Sequence, residues 1–122
     1  MRSAEALPER LRASLVALLG EDVDDVEIVE HSWYARLHFG ARATTRRNCI
    51  LLRGSVAEFC ADPALVLHEY FHVLRQWNAG RLSTRAYVTE WLRRGYWANR
   101  YERQARRFVS LRLPALHERL DA

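Results

Sequence analysis

The run Leu65-Val66-Leu67-His68-Glu69-Tyr70-Phe71-His72-Val73-Leu74 constrains this chain more than any other stretch, because it sets His-Glu-x-x-His inside apolar sequence. Wound as a helix, it puts Val66, Tyr70, Val73 and Trp77 on one stripe and Leu67, Phe71 and Leu74 on the next. His68, Glu69, His72 and Gln76 are left on the remaining side, so the helix is buried over most of its circumference and its polar side faces something specific. Asp62 suits an N-cap and Pro63 a first helical position, and Asn78-Ala79-Gly80 ends the run. The four-residue step from His68 to His72 brings two imidazoles onto one face about one turn apart, where they can share a metal ion. Glu69 beside them is placed as a general base toward a metal-activated water.

Two histidines need a third protein ligand, and catalytic zinc sites often take a carboxylate. Glu102 is the leading candidate: it shares a helical stripe with Ala98, Ala105 and Val109, while Arg100, Arg103, Arg106 and Arg107 lie largely elsewhere. A carboxylate on an inward stripe has to find a cation, a metal or hydrogen-bond donors. The competing reading is a capping box over Asn99-Arg100-Tyr101-Glu102, with the glutamate folded back on its own helix start, or simple ion pairing. Glu90 is a weaker substitute on what reads as the polar side of its helix, and His31, His38 and His117 read as surface or satisfied histidines. Cys49 and Cys60 are too few for a disulfide framework and read as small buried apolar residues, with a thiol ligand or a disulfide as the rival.

In chain order, Leu11, Leu15, Leu18 and Leu19 mark a first helix ended by Gly20, and Val26–Glu30 reads as a short strand. A short helix is expected from Ser32 to Gly40, then a hairpin of Ala43-Thr44-Thr45 and Cys49-Ile50-Leu51-Leu52 around Arg46-Arg47-Asn48. Ser83 or Thr84 starts a helix carrying Tyr87, Val88, Trp91 and Leu92 and stopped by Gly95; another runs from about Asn99 to Ser110, and Pro114 separates it from a short tail. The expectation is an α+β fold: a short sheet in the first half, packed on the motif helix and the C-terminal helices. With 122 residues and 49% hydrophobic content, a single domain over 1–122 can bury its own core.

All 19 basic residues are arginine, giving a net charge of +4. The Arg93–Arg112 segment, with Trp91, Tyr96, Trp97 and Tyr101 available for stacking, raises a nucleic-acid-binding reading. The spacing of those arginines, with Glu90 and Glu102 among them, fits a solvated charged helix face better. No apolar stretch approaches a membrane span, and Met1-Arg2-Ser3-Ala4-Glu5 lacks the pattern of a signal peptide. A cytoplasmic location, or export without a cleaved signal, is expected.

The run Leu67–Gln76, preceded by Cys49-Ile50-Leu51-Leu52-Arg53-Gly54 and followed by Asn99-Arg100-Tyr101-Glu102-Arg103-Gln104-Ala105, resembles the short zincin-like domains associated with bacterial contractile injection systems and polymorphic toxins. Those domains order a strand, a His-Glu-x-x-His-x-x-x-Gln helix and an Asn-x-x-Glu-x-x-Ala segment, and the resemblance spans residues 43 to 105. It implies a small gluzincin-type fold, Zn²⁺ held by His68, His72 and Glu102, and Glu69 as catalytic base. The expected activity is a zinc metallopeptidase hydrolysing a peptide bond of a protein substrate, with a strand near Ile50-Leu51-Leu52 pairing with the substrate; Tyr96 and Tyr87 read as packing aromatics whose hydroxyls reach the surface, with the role of oxyanion donor as the alternative. The alternative is a metal-binding docking or scaffold module, without catalysis, in a larger secretion or toxin assembly.

Overall fold

The computed structural model describes residues 1–36 and 41–122. Its elements are α1 (Ser3–Ala6), α2 (Glu9–Leu19), β1 (Glu27–Val29), α3 (Trp33–Arg36), β2 (Ala43–Arg46), β3 (Cys49–Leu52), α4 (Val56–Cys60), α5 (Pro63–Phe71), a π-helical segment (His72–Trp77), α6 (Thr84–Ala98) and α7 (Arg100–Asp121). The expected α+β architecture is found, with all three strands ahead of α5. Residues 37–40, including His38 and the end of the helix expected over Ser32–Gly40, lie outside the described residues.

The strand order is β1-β3-β2. β1 runs parallel to β3 with Ile28 opposite Ile50, and β2 runs antiparallel with Thr44 opposite Leu51. Asn48 makes the hairpin turn at a φ of 54°, a left-handed conformation that asparagine tolerates. Along β3, Ile50 and Leu52 are buried and Cys49 and Leu51 half-buried, the alternation a pleated strand imposes. Beneath the buried face, Leu11, Leu15 and Leu19 of α2 meet Val66, Leu67, Tyr70 and Val73 of the motif helix and Leu116 of α7. Leu18 packs against this cluster only in part. The Tyr70 phenol is fully buried yet satisfied. Since the Ser3 hydroxyl donates to the Val26 carbonyl at 2.8 Å, the Tyr70 hydroxyl donates to Ser3 Oγ and ties the motif helix to α1.

The motif helix starts as predicted: Asp62 Oδ1 accepts from Leu65 N at 3.2 Å and Pro63 takes the first turn. It does not stay α-helical to Trp77. From His72 the ladder widens to a π-helix, closed by Asn78 N donating to Val73 O at 2.7 Å. The Gln76 carbonyl is then taken by the backbone N–H groups of both Arg81 and Leu82, at 2.9 and 3.0 Å. Ser83 caps α6, its side chain accepting from Ala86 N at 3.1 Å. Helical geometry breaks at Gly95, with φ 76° and ψ 177°, before a last turn to Ala98.

α7 runs unbroken through Pro114, where a separation was expected. A proline inside a helix costs about 3 kcal/mol through its missing N–H and the crowding of the preceding turn. Leu116 is fully buried and Leu113 and Leu120 pack partly on the same core, next to α2. At roughly 1.5–3 kcal/mol for a fully buried leucine, this packing offsets the proline.

Candidate metal centre

α5 and its π continuation present His68, Glu69 and His72 toward the first turn of α7, which presents Glu102. The small, fully buried Ala105 lies one turn further along α7. His72 Nε2 is 2.6 Å from Glu102 Oε1, His68 Nε2 is 3.2 Å from the same oxygen, and the two Nε2 atoms are 3.1 Å apart. Among the described residues these three side chains form the one His/Cys/Asp/Glu group able to offer three ligand atoms to one ion. Glu102 does not close a capping box: Asn99 caps α7 itself, Oδ1 accepting from Tyr101 N at 2.8 Å and Glu102 N at 3.4 Å.

The donor set suits a divalent metal ion. A carboxylate oxygen is an acceptor only, and two imidazole nitrogens converging on it make a site that a cation can fill. In a tetrahedral site with bonds of about 2.0–2.1 Å, ligand atoms lie roughly 3.3 Å apart, close to the two longer separations here. The shortest, 2.6 Å between His72 Nε2 and Glu102 Oε1, is the distance of an ion pair when His72 is protonated.

Charges follow from this crowding. Burial alone would raise the Glu102 pKa, but hydrogen bonds with His68 and His72 and the charges of those rings hold it well below the carboxylate range. Burial would lower that of His72, yet its hydrogen bond with Glu102 and the charges of Glu102 and Glu69 raise it. Glu69 moves the other way from Glu102: burial raises its pKa more than the two histidines lower it. A buried carboxyl raised above its ordinary range in this way holds a proton more readily than an exposed glutamate.

Glu69, His72 and Glu102 border a cleft of about 740 Å³. One wall is β2, from Ala43 to Arg46, and the other is the face of α6 carrying Tyr87, Val88, Trp91, Leu92 and Tyr96. Trp77 joins the site to β2 by donating to Thr45 Oγ1 at 3.1 Å. Strand pairing with an extended ligand, expected at Ile50-Leu51-Leu52, is excluded there because β3 is the central strand and both its edges are used. β2 is the edge that borders the cleft. Tyr87 and Tyr96 both line it as phenols, and burial first, then the charges of Glu102 and Glu69, pushes Tyr96 up to about 12 and Tyr87 also upward.

The remaining candidates fall away from the centre. Glu90 is buried, against the polar face expected for it, and lies 3.0 Å from the Arg94 guanidinium. His31 and His117 are exposed. Cys49 and Cys60 are free thiols, half-buried instead of fully buried, and neither joins the ligand group. Tyr101 is buried and so is removed from any stacking surface, and the Trp97 side chain lies outside those described. Gln76, placed with the histidines by helical spacing but given no role, proves to be buried with its Oε1 2.6 Å from His72 Nδ1.

The eCIS core domain family matches residues 6–80, more than half of the chain, and the chain belongs to that family, which is associated with extracellular contractile injection systems. The match takes in α2 and β1, which the motif resemblance left out, and ends before α7. His68 and His72 thus fall inside it and Glu102 beyond it. No curated protein and no solved structure matches the chain. Among the described residues no helix is long and apolar enough to cross a membrane.

Proposed function

We propose that this eCIS core domain protein is a zinc-dependent hydrolase of peptide bonds, acting within a contractile injection assembly. The observation that carries the reading is the meeting of His68, His72 and Glu102 at one point, with Glu69 beside them, on the border of an open cleft. A zinc ion held by those three side chains would polarise a substrate carbonyl and lower the pKa of a water. Glu69, with its raised pKa, takes the proton as water attacks the carbonyl carbon and passes it to the leaving amine nitrogen as the C–N bond breaks. Tyr96 or Tyr87, kept protonated by burial and by the nearby carboxylates, donates its hydroxyl hydrogen to the developing oxyanion. The β2 edge supports an extended backbone by strand addition, and the apolar face of α6 receives a side chain.

Glu69→Gln tests the reading. Zinc content should stay at the wild-type level while cleavage of an unfolded protein substrate falls by about 10²–10⁴-fold. Equal cleavage by the variant would overturn the assignment of the base. A second reading, a metal-stabilised docking module without turnover, is favoured by membership of a family associated with contractile injection systems. Stoichiometric metal with no cleavage across a peptide library would establish it.

A further inference from the structure

Gln76 is buried to 1% exposure, and every polar group on it is engaged. Its Nε2 lies 2.9 Å from the Tyr101 carbonyl oxygen and 3.1 Å from Gln104 Oε1. A backbone carbonyl can only accept, so the amide nitrogen must face Tyr101 and the amide oxygen must face the other way. That oxygen sits 2.6 Å from His72 Nδ1 and can only accept in turn, which places a hydrogen on Nδ1. With a hydrogen fixed on Nδ1, Nε2 is the nitrogen directed at His68 and Glu102: it carries the shared proton in the ion pair with Glu102 and is bare once that proton has left. The side-chain amide is held at both ends, its nitrogen by Tyr101 and Gln104 and its oxygen by His72.

From this chain of donors we infer that Gln76, itself held by α7, is the positioning residue of the metal centre, fixing the tautomer and ring orientation of His72. Resting on the metal-site reading, the assignment adds a coupling. One turn of α7 supplies both the carboxylate Glu102 and, through the Tyr101 carbonyl and Gln104, the hold on the residue that aims His72. Docking of α7 and readiness of His72 for a metal are therefore one event.

The test uses the full chain with zinc ion as probe. Long-range ¹H–¹⁵N spectra of histidine-labelled wild-type protein should show His72 carrying its hydrogen on Nδ1, both zinc-loaded and in metal-free protein at a pH where the ring is neutral. Gln76→Leu, close in size but without an acceptor, should bind zinc about 10–100-fold more weakly by chelator competition, with the Nδ1 hydrogen exchanging faster. Neutral His72 with its hydrogen on Nε2, or zinc held through Nδ1, overturns the assignment. So does a folded Gln76→Leu variant with wild-type zinc affinity. Should Gln76→Leu fail to fold, the wild-type spectra decide. Should wild-type protein take up no zinc, the metal reading fails, and the metal-free spectrum still tests whether Gln76 sets the His72 tautomer.

Discussion

Replacing Glu102 by glutamine keeps the shape of the side chain and removes its charge, and the consequence depends on pH and on metal. In metal-free protein, His72 Nε2 and Glu102 Oε1 form a buried ion pair at 2.6 Å, each side chain about 5% exposed. Breaking such a pair by removing one partner costs roughly 3–5 kcal/mol, which for a chain of this length lowers Tm by on the order of 10–20 °C. The His72 pKa is raised in the folded state, so its contribution is complete below its unfolded value near 6.5 and is lost as pH rises through the folded value. The Glu102 pKa is lowered, so its contribution is complete above its unfolded value near 4.3 and is lost as pH falls through the folded value. The Tm gap between metal-free wild type and Glu102→Gln should therefore be widest between about pH 5 and 6.5, and narrow as pH rises through the raised folded value of His72. Zinc acts in the opposite sense, because it needs His72 deprotonated. At about 100 times its Kd it should stabilise wild type by roughly 2.7 kcal/mol near pH 8, with little gain in Glu102→Gln. Differential scanning fluorimetry across pH, with chelator or zinc, measures all four cases. A Tm gap independent of pH, or equal zinc stabilisation of both proteins, would refute the placing of Glu102 against His72.

Other perturbations have separate readouts. Ser3→Ala strands the buried Tyr70 hydroxyl and should cost about 1–3 kcal/mol in urea denaturation, whereas Tyr70→Phe in the same background should recover much of it. Pro114→Ala removes the proline from the interior of α7 and should raise Tm by several degrees, by about 1–3 kcal/mol, with no change in zinc content. Leu92→Ser, at a side chain 72% exposed on the cleft wall, should leave stability within about 0.5 kcal/mol and weaken cleavage selectively for substrates with large apolar side chains.

What could be read from the residues alone divides along a physical line. The start of α5 and the hairpin turn are local chemistry: Asp62 and Pro63 complete a helix end within one turn, and Asn48 adopts its left-handed φ within its own turn. The two apolar stripes were legible because a helix period is written into the sequence. The π-helical segment was not, since an apolar helical pattern does not distinguish an α from a widened ladder; the Gln76 carbonyl is held by Arg81 and Leu82, which lie after the helix has ended. Continuity of α7 through Pro114 depends on Leu116 finding the core beside α2, a contact about a hundred positions away in the chain. Glu102 stood as ligand or cap because helical spacing permits both. Packing decides the direction of its carboxylate, with Asn99 taking the cap. The role of Gln76 was hidden because its partners, Tyr101 and Gln104, lie on another helix.

The central claim is that His68, His72 and Glu102 bind a metal ion, and the most direct measurement is the metal content of the chain purified without chelator, by inductively coupled plasma mass spectrometry. About one zinc per chain is expected, lost in His72→Ala and retained in Glu69→Gln. Protein that carries no metal and cannot be loaded with any would contradict it.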